Sequence, residues 1–359
     1  MTTFNVLGWE LHEVGKPPRK RRWQLNTSDL QPDEVIVSIA GCGVCHTDLG
    51  FHYDGVRTKH SLPLVLGHEI SGTVVGCGKE AVKWNGAQVI IPAVLPCGEC
   101  IDCNSGHSNV CQHQIMPGND VDGGFASHIR VPSRWLVKIP DNYQGDIAKL
   151  SVVADAISTP WQALLRADVV EGDTCIIVGC GGIGGYCAQL ASSLKANVIC
   201  IDVDQRRLES MHALGFTHSL NCTEKSSKEV KNYLREVITS NGWGHSGWKI
   251  FECSGHVDGQ TLAFELIGPS GVLAIVGFTM SKVNIRLSNL MAHDARVFGN
   301  WGCQPELYPE LLEMVVLGAV DLDNSTQSLP LSEICEVFEN AHDGKYDQRV
   351  ILIPENDTN

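Results

Sequence analysis

The 359-residue sequence has no apolar run long enough to span a bilayer, and its opening stretch, MTTFNVLGWELHEVGK, lacks the apolar block of a signal peptide. A cytoplasmic, soluble chain with no membrane partner is the expectation. Positive charge is scarce: 27 Lys and Arg face 41 Asp and Glu, for a net charge of −14. That argues against a nucleic-acid partner, because phosphate binding relies on clustered cations. One basic run, Arg19, Lys20, Arg21 and Arg22, stands before Trp23. It reads as a solvated strand or hairpin edge, with a docking point for a phosphorylated substrate as the alternative. Internal repeats, coiled-coil heptads and low-complexity tracts are also missing. The length is that of two domains of ordinary size.

Cysteine, by contrast, is plentiful. There are 15, an odd number, and Cys175, Cys180, Cys187, Cys200 and Cys253 lie in hydrophobic segments, as reduced core thiols do in a reducing compartment. Four others, Cys97, Cys100, Cys103 and Cys111, form a C-x2-C-x2-C-x7-C array within CGECIDCNSGHSNVC. Thiolates two residues apart can converge on one tetrahedral ion, and the longer last gap lets the chain fold back to close the site. Adjacent C-x2-C pairs are poor disulfide partners. An iron-sulfur cluster is the stronger competitor, but ferredoxin spacing ends in a three-residue gap and a proline, whereas Gln112 follows here. Structural zinc is the preferred reading. Such a closed site holds a fold together and leaves the chemistry to other residues.

Residues 1–157 read as short strands broken by Gly, Pro and Asp (VIVSIAG, ISGTVVGCG, AQVIIPAV, FASHIRVP), hence a mostly antiparallel β domain carrying the cysteine loop near 95–113. Residues 158–298 change to strand, glycine turn, helix and strand (TCIIVG, GYCAQLASSLKA, NVICID), continuing through KIFECSG and GVLAIVG. That is an α/β series with a doubly wound parallel sheet. Residues 299–359 leave this pattern and return to the first domain, with two helix-like segments and a terminal strand RVILIP.

Gly179, Gly181, Gly182, Ile183 and Gly184 fall in a G-x-G-x-x-G motif directly after a strand and before a helix. The first glycine permits the turn, the second admits a pyrophosphate, and the third allows close helix-strand packing. The helix N-terminus supplies N–H donors to phosphate. Asp202 ends the next strand, where a carboxylate accepts ribose hydroxyls and repels a 2′-phosphate. NAD is preferred over NADP, with Arg206 and Arg207 leaving NADP open. Arg207 is also placed to lie over the adenine ribose.

Cys45 in GVCHTD and His68 in GHE are two metal-ligand types upstream of this nucleotide motif. GVCHTD, GHE, the four-cysteine array and GCGGIG, in this order and at these intervals, resemble the zinc-dependent medium-chain alcohol dehydrogenases across essentially the whole chain. The resemblance implies a GroES-like catalytic domain joined to a Rossmann domain. It also implies two zinc ions per chain, one structural and one catalytic, the latter with three protein ligands and an open fourth position. Cys45 and His68 match two of those ligands. The third falls in ADAISTPWQAL, where many relatives have cysteine and this chain has Asp155, whose alternative role is a helix cap. Glu69 then resembles a nearby or transient ligand, and Asp48 the carboxylate that orients His68.

Further roles are implied in the same way. Thr47 matches the hydroxyl that takes the alcohol proton, and His46 and Arg349 match residues that contact the pyrophosphate. Thr159, Cys253, Ser254, Val276 and Phe278 match positions around the nicotinamide. Relatives that relay the proton through histidine carry it where this chain has Gly50. His52 substitutes if the loop bulges, and is otherwise an ordinary surface histidine. Within the family, LPLVLGHEISG, PAVLPCGECIDC, MPGNDVDGGFASHI, GWKIFECSG and VGFTMSKVNIRLSNLMAHDARVFGNWGC look like dehydrogenases of alicyclic CoA thioesters. Two other readings stand beside this: a generic secondary-alcohol or polyol dehydrogenase, and a non-catalytic nucleotide-binding redox sensor. Family habit implies a homo-oligomer, a tetramer rather than a dimer.

Overall fold

A computed structural model describes residues 1–355 of the chain. Its first strands are a hairpin, β1 (Thr3–Leu11) with β2 (Arg19–Asn26), in antiparallel register with Gly8 opposite Arg21. β3 (Glu34–Gly43) is followed by the short β4 (Leu64–Val65), which pairs with β1, and then by β5 (Glu69–Cys77). β6 (Gln88–Ile91), β7 (His128–Pro132) and β8 (Val137–Lys138) complete this stretch. β3 and β5 pair antiparallel with register shifts at Ile36/Val37 and Ile39/Gly41. Such shifts bend strands and increase twist, which suits a strongly curved sheet.

The second stretch begins with β9 (Thr174–Val178) and runs through β10 (Asn197–Asp202), β11 (Ser219–Asn221), β12 (Lys249–Glu252), β13 (Val272–Ile275) and β14 (Arg296–Gly299). The six strands are all parallel, in the order β11-β10-β9-β12-β13-β14. That is the doubly wound dinucleotide-binding order, whose strand sequence reverses beside β9. β9 is buried at every position, as expected for a central strand covered on both faces. The chain ends with β15 (Thr326–Pro330) and β16 (Arg349–Ile353), which extend the sheet β15-β16-β3-β5-β6-β8, with β7 also on β3. All pairs there are antiparallel except β15 with β16. The expected α/β class, a GroES-like antiparallel domain plus a Rossmann parallel sheet, is thus the observed architecture.

Two compact units result: Met1–Ser158, Gly302–Val316 and Leu322 onward in one, and Thr159–Trp301 with Leu317–Asp321 in the other. The first core gathers Val35, Val37, Ile70 and Val89 from its strands and Phe125 from the segment before β7, with Val337 and Phe338 from the helix Ile334–His342. The second gathers Ile176, Ile199, Ile201, Ile250 and Leu273 against helices. One of these, Ser227–Asn241, is absent from the sequence reading although its signals are local. Ser226 and Glu229 form a reciprocal capping box, Gly242 ends it at φ 69, and Val230, Leu234, Val237 and Ile238 make its buried stripe. Among the described residues no helix is long and apolar enough to cross a membrane.

Ile250 is fully buried on β12 at the centre of the parallel sheet. Ile250→Ala is expected to destabilise this unit by about 2–5 kcal/mol, seen as a lower urea midpoint with unchanged far-ultraviolet dichroism of the native state.

Candidate metal and nucleotide sites

The four-cysteine loop folds into a cluster. Sγ–Sγ separations are 3.5 Å for Cys100–Cys103, 3.6 Å for Cys100–Cys111 and Cys97–Cys111, and 4.0 Å for Cys97–Cys103. Four sulfurs at about 2.3 Å from a central tetrahedral ion would lie about 3.8 Å apart, so the donor set fits one zinc. Disulfides are absent, since all four cysteines are free. The space between the sulfurs suits one ion and not a multi-iron cluster. Backbone N–H groups of Cys97 and His113 point at Cys111 Sγ (3.5 and 3.3 Å) and partly offset the burial that holds this thiol above its ordinary value. The Glu99 backbone N–H brings the Cys97 thiol down to about 6 against opposing desolvation. Outside the loop, Gln304 Nε2 donates to Gly106 O (2.5 Å) and Ser108 Oγ to Glu306 Oε2 (2.8 Å).

The second cluster is assembled from distant segments. Cys45 precedes the helix His46–His52, His68 precedes β5, Glu69 begins β5, and Asp155 follows the 3-10 helix Lys149–Ala154. One ligand atom from each of Cys45, His68, Glu69 and Asp155 lies within 4.8 Å of the others. Asp155 Oδ2 is 3.5 Å from Cys45 Sγ and 3.4 Å from His68 Nε2. His68 is 1% exposed, and neither ring nitrogen has a well-formed hydrogen bond within the protein. A buried imidazole nitrogen facing a thiol and a carboxylate is the environment of a metal ligand. Cys45, His68 and Asp155 therefore fit a zinc ion.

Asp48, fully buried, organises the surroundings. Its Oδ2 accepts from Cys45 N–H (3.0 Å), and its Oδ1 accepts from Gly67 N–H (3.1 Å) and lies 3.3 Å from His68 Nδ1. With Nδ1 facing that carboxylate, Nε2 is left to face the cluster. Glu69 is also fully buried and is clasped by Arg349 through both guanidinium edges, Nε at 3.1 Å and Nη2 on the other oxygen. Burial pushes the Glu69 carboxyl up while Arg349 opposes it. Gly43 makes this possible, because a Cβ there would lie 2.0 Å from Glu69 Oε2. The sequence reading had no signal for a partnership 280 residues apart. Thr47 is half-buried with Oγ1 3.6 Å from Cys45 Sγ, and His46 is exposed.

His52 requires a correction. The segment His46–His52 is a regular helix, so the loop bulge that would let His52 replace a relay at Gly50 does not occur. It is no surface residue either: it is 3% exposed, edge-on to Tyr53 (4.2 Å) and Phe338 (5.5 Å), with Nδ1 unpartnered among the described residues. The basic run is also not a uniform patch. Arg21 bonds Glu10 and Asp122 at 3.1 Å each and stacks 4.6 Å over Trp23, while strand alternation sends Lys20 and Arg22 to the other face.

In the second unit, Gly179 turns the chain at φ +88, and Gly181 is the N-cap of the helix Gly182–Ser193, which carries Ile183 in its first turn. A Cβ on Gly184 would lie 1.8 Å from Gly179 O, whereas one on Gly181 meets nothing closer than Arg207 Nη1 at 3.6 Å. Tight packing at the third glycine and open space at the second form a pyrophosphate cradle. Asp202, 4% exposed, accepts from Cys180 N–H (2.6 Å) and Asp204 N–H (2.8 Å), with Arg207 Nη1 at 3.8 Å. Arg206 instead bonds Asp204, at 3.3 Å through Nε and 2.8 Å through Nη2.

Cys253–Ser254 and Val276–Phe278 follow β12 and β13, so with the glycine motif they stand at the C-terminal ends of adjacent strands. Cys253 and Val276 are half-buried and Phe278 is 71% exposed. Thr159 is buried, its carbonyl accepting from Asn300 Nδ2 at 3.0 Å. Glu252, overlooked in the sequence, holds this rim. Its fully buried Oε1 accepts from Ser254 N–H (2.8 Å), Ser254 Oγ (2.5 Å) and Gly255 N–H (3.1 Å). A lone acid closing the apolar strand KIFE was the available clue.

The chain is similar to known dehydrogenases along most of its length. Residues 31–141 match the alcohol dehydrogenase GroES-like domain and residues 182–316 the zinc-binding dehydrogenase model. An alcohol dehydrogenase of Geobacillus stearothermophilus is 30% identical over 327 residues, 90% of this chain and 92% of that protein. Among solved structures, galactitol-1-phosphate dehydrogenase from Escherichia coli superposes with TM-score 0.85 at 24% identity, covering 97% of this chain and 100% of that one. Acetophenone reductase from Geotrichum candidum, in complex with NAD, gives 0.82 at 22% identity, covering 97% of each. The chain belongs to the zinc-dependent medium-chain alcohol dehydrogenase family, which makes it an oxidoreductase and sets aside the non-catalytic reading.

Two outcomes test this geometry. Burial, aided by His342, holds His52 below its ordinary value, so below about pH 6.5 the unfolded chain binds a proton that the folded chain refuses. Stability should fall as pH drops through that value. His52→Gln should narrow the gap between urea midpoints at pH 7.5 and 5.5, and an unchanged gap would count against this origin. Asp155→Asn should lower zinc content from about two to about one per chain, measured by elemental analysis after dialysis.

Proposed function

We propose that the protein oxidises a secondary ring alcohol to a ketone with NAD, the substrate being an alicyclic CoA thioester. The observation that carries the metal half of this reading is the convergence of Cys45, His68 and Asp155 around an otherwise unpartnered His68 Nε2. Zinc held by these residues would act as a Lewis acid that lowers the pKa of a substrate hydroxyl. One Cys, one His and one Asp make a harder ligand set than one with two thiolates, which favours that acidity. Asp48 keeps His68 oriented, and Thr47 Oγ1, half-buried, would take the alcohol proton while giving up its own hydroxyl proton to solvent. NAD held at the glycine cradle would supply the hydride acceptor for the carbinol carbon, so that the overall products would be ketone, NADH and a proton.

NAD is favoured by the Asp202 carboxylate beside the cradle and by Arg206 being bound to Asp204, away from duty at a 2′-phosphate. Arg207, Cys253, Ser254, Val276, Phe278 and Thr159 remain the candidates for the rest of the cofactor, with His46 and Arg349 for its pyrophosphate.

The substrate rests on the longer stretches such as MPGNDVDGGFASHI and VGFTMSKVNIRLSNLMAHDARVFGNWGC, which resemble 6-hydroxycyclohex-1-ene-1-carbonyl-CoA dehydrogenase. The reaction would then yield 6-oxocyclohex-1-ene-1-carbonyl-CoA, within anaerobic benzoyl-CoA degradation. A generic alcohol or polyol activity is the second reading, favoured by the names of the Geobacillus and Escherichia coli relatives. NAD reduction measured on a panel of CoA thioesters beside simple cyclic alcohols and polyols separates them. A preference of at least tenfold in kcat/KM for the thioester is expected, and equal rates without the CoA moiety would leave the generic reading. Because the proposed product is a conjugated enone, NADH-loaded enzyme should also reduce some cyclic enones or enoyl thioesters at the β-carbon. Finding only carbonyl reduction, or none, would remove that side activity. A tetrameric homo-oligomer is proposed from family habit. The edge position of β14 and the exposed Leu287 and Met291 nearby support association of subunits through that edge, as a dimer or a tetramer alike.

A further inference from the structure

The turn that carries Asp155 has an anchor that the reaction as proposed leaves unused. Tyr308 opens the helix Tyr308–Val316 and is 1% exposed. Its hydroxyl donates to Ala154 O at 2.5 Å and accepts from Ser158 Oγ at 3.0 Å. Ser158 Oγ also lies 3.4 Å from Asp155 O, and Ala154 O receives a second bond from Ala93 N–H at 3.2 Å. One phenol therefore ties down the peptide just before Asp155 and the hydroxyl of the residue three positions after it. Between these ties Asp155 has φ −145 and ψ −60, where the 3-10 helix stops and no regular backbone pattern fixes its direction. Some other constraint has to aim the carboxylate.

The phenol itself is held. Gln304 and Glu306, just before Tyr308, bond Gly106 and Ser108, which lie between Cys103 and Cys111 of the four-cysteine loop. The segment Gln304–Tyr308 is thus a strap fastened to that loop at one end and to the Ala154–Ser158 turn at the other. We propose that Tyr308 is a positioning residue for Asp155: it sets where Oδ2 stands relative to Cys45 and His68, and passes the rigidity of the four-cysteine loop to the second metal cluster. Tyr308 is not one of the four residues whose ligand atoms converge there. The inference rests on the reading that Cys45, His68 and Asp155 hold a metal. Metal–ligand distances in a well-formed site fall within about 0.2 Å of their standard values, and loss of an outer hydrogen-bonding partner commonly weakens metal affinity or activity 10- to 100-fold.

Tyr308→Phe keeps the ring and removes only the hydroxyl. Ala154 O would retain Ala93 N–H, and Ser158 Oγ would retain Asp155 O, so no buried carbonyl is orphaned. The test uses the full chain. Zinc stoichiometry of the unaltered protein is measured first, then the affinity of the more weakly held metal by chelator competition, then the visible spectrum after cobalt replaces that metal. For Tyr308→Phe the dissociation constant of that metal should rise about tenfold or more and the cobalt bands should shift, while the other metal is retained. Unchanged affinity with a superimposable cobalt spectrum would overturn the proposal. If Tyr308→Phe does not fold, Ser158→Ala, which removes the other hydroxyl of the pair, decides the matter by the same two readouts. One metal per chain in the unaltered protein would instead refute the underlying metal reading, and the proposal with it, before any variant is made.

Discussion

Asp48 is the point on which the first unit's chemistry hangs. Two turns, one ending at Cys45 and one at Gly67–His68, have no sequence proximity, yet a single enclosed carboxylate accepts a backbone N–H from each. A buried carboxylate must find donors or positive charge, and the donors it finds are the backbone of the ligand-bearing turns. Meeting that demand fixes Cys45, fixes His68 and leaves the second imidazole nitrogen facing inward. Glu69 meets the same demand with Arg349, at a site where Gly43 makes room. The donor atoms of Cys45, His68 and Asp155 are thereby gathered within reach of one another, an arrangement that fits a cation.

The two candidate metal sites differ in geometry. The four-cysteine site is closed, with sulfurs spaced for one ion and a loop strapped down by Gln304 and Glu306. The other draws its donors from three widely separated segments, and its carboxylate ligand makes it harder than a two-thiolate site. In the second unit the same economy of backbone contacts recurs. Asp202 holds the glycine turn through Cys180 N–H, and Glu252 holds the Ser254–Gly255 turn, so two buried acids shape the rim of the nucleotide cradle.

Much of the fold was legible because its signals are local. The strands TCIIV and NVICID, the glycine motif and its helix carry period and turn chemistry within a few residues, and the structure has them as β9, β10 and the helix Gly182–Ser193. The helix Ser227–Asn241 shows that a local signal can also be passed over, since its capping box and apolar stripe are in the sequence. His52 was misplaced for a different reason. Whether a histidine near a chain turn is exposed depends on what packs against it, and Tyr53 is adjacent but Phe338 is 286 positions away.

By itself, the sequence determined that Cys97, Cys100, Cys103 and Cys111 would cluster and that a tight glycine turn would open a helix at Gly179–Gly184. In both, the donors or turns lie within one short loop, so spacing alone limits the geometry. Only the tertiary structure decided that Asp155 faces Cys45 and His68, that Arg349 clasps Glu69, and that Tyr308 anchors the ligand turn. Those partners are brought within hydrogen-bonding reach by sheet pairing and burial across 87 to 280 positions. No local pattern encodes a meeting of that kind, because what enforces it is the cost of leaving each of those groups buried alone.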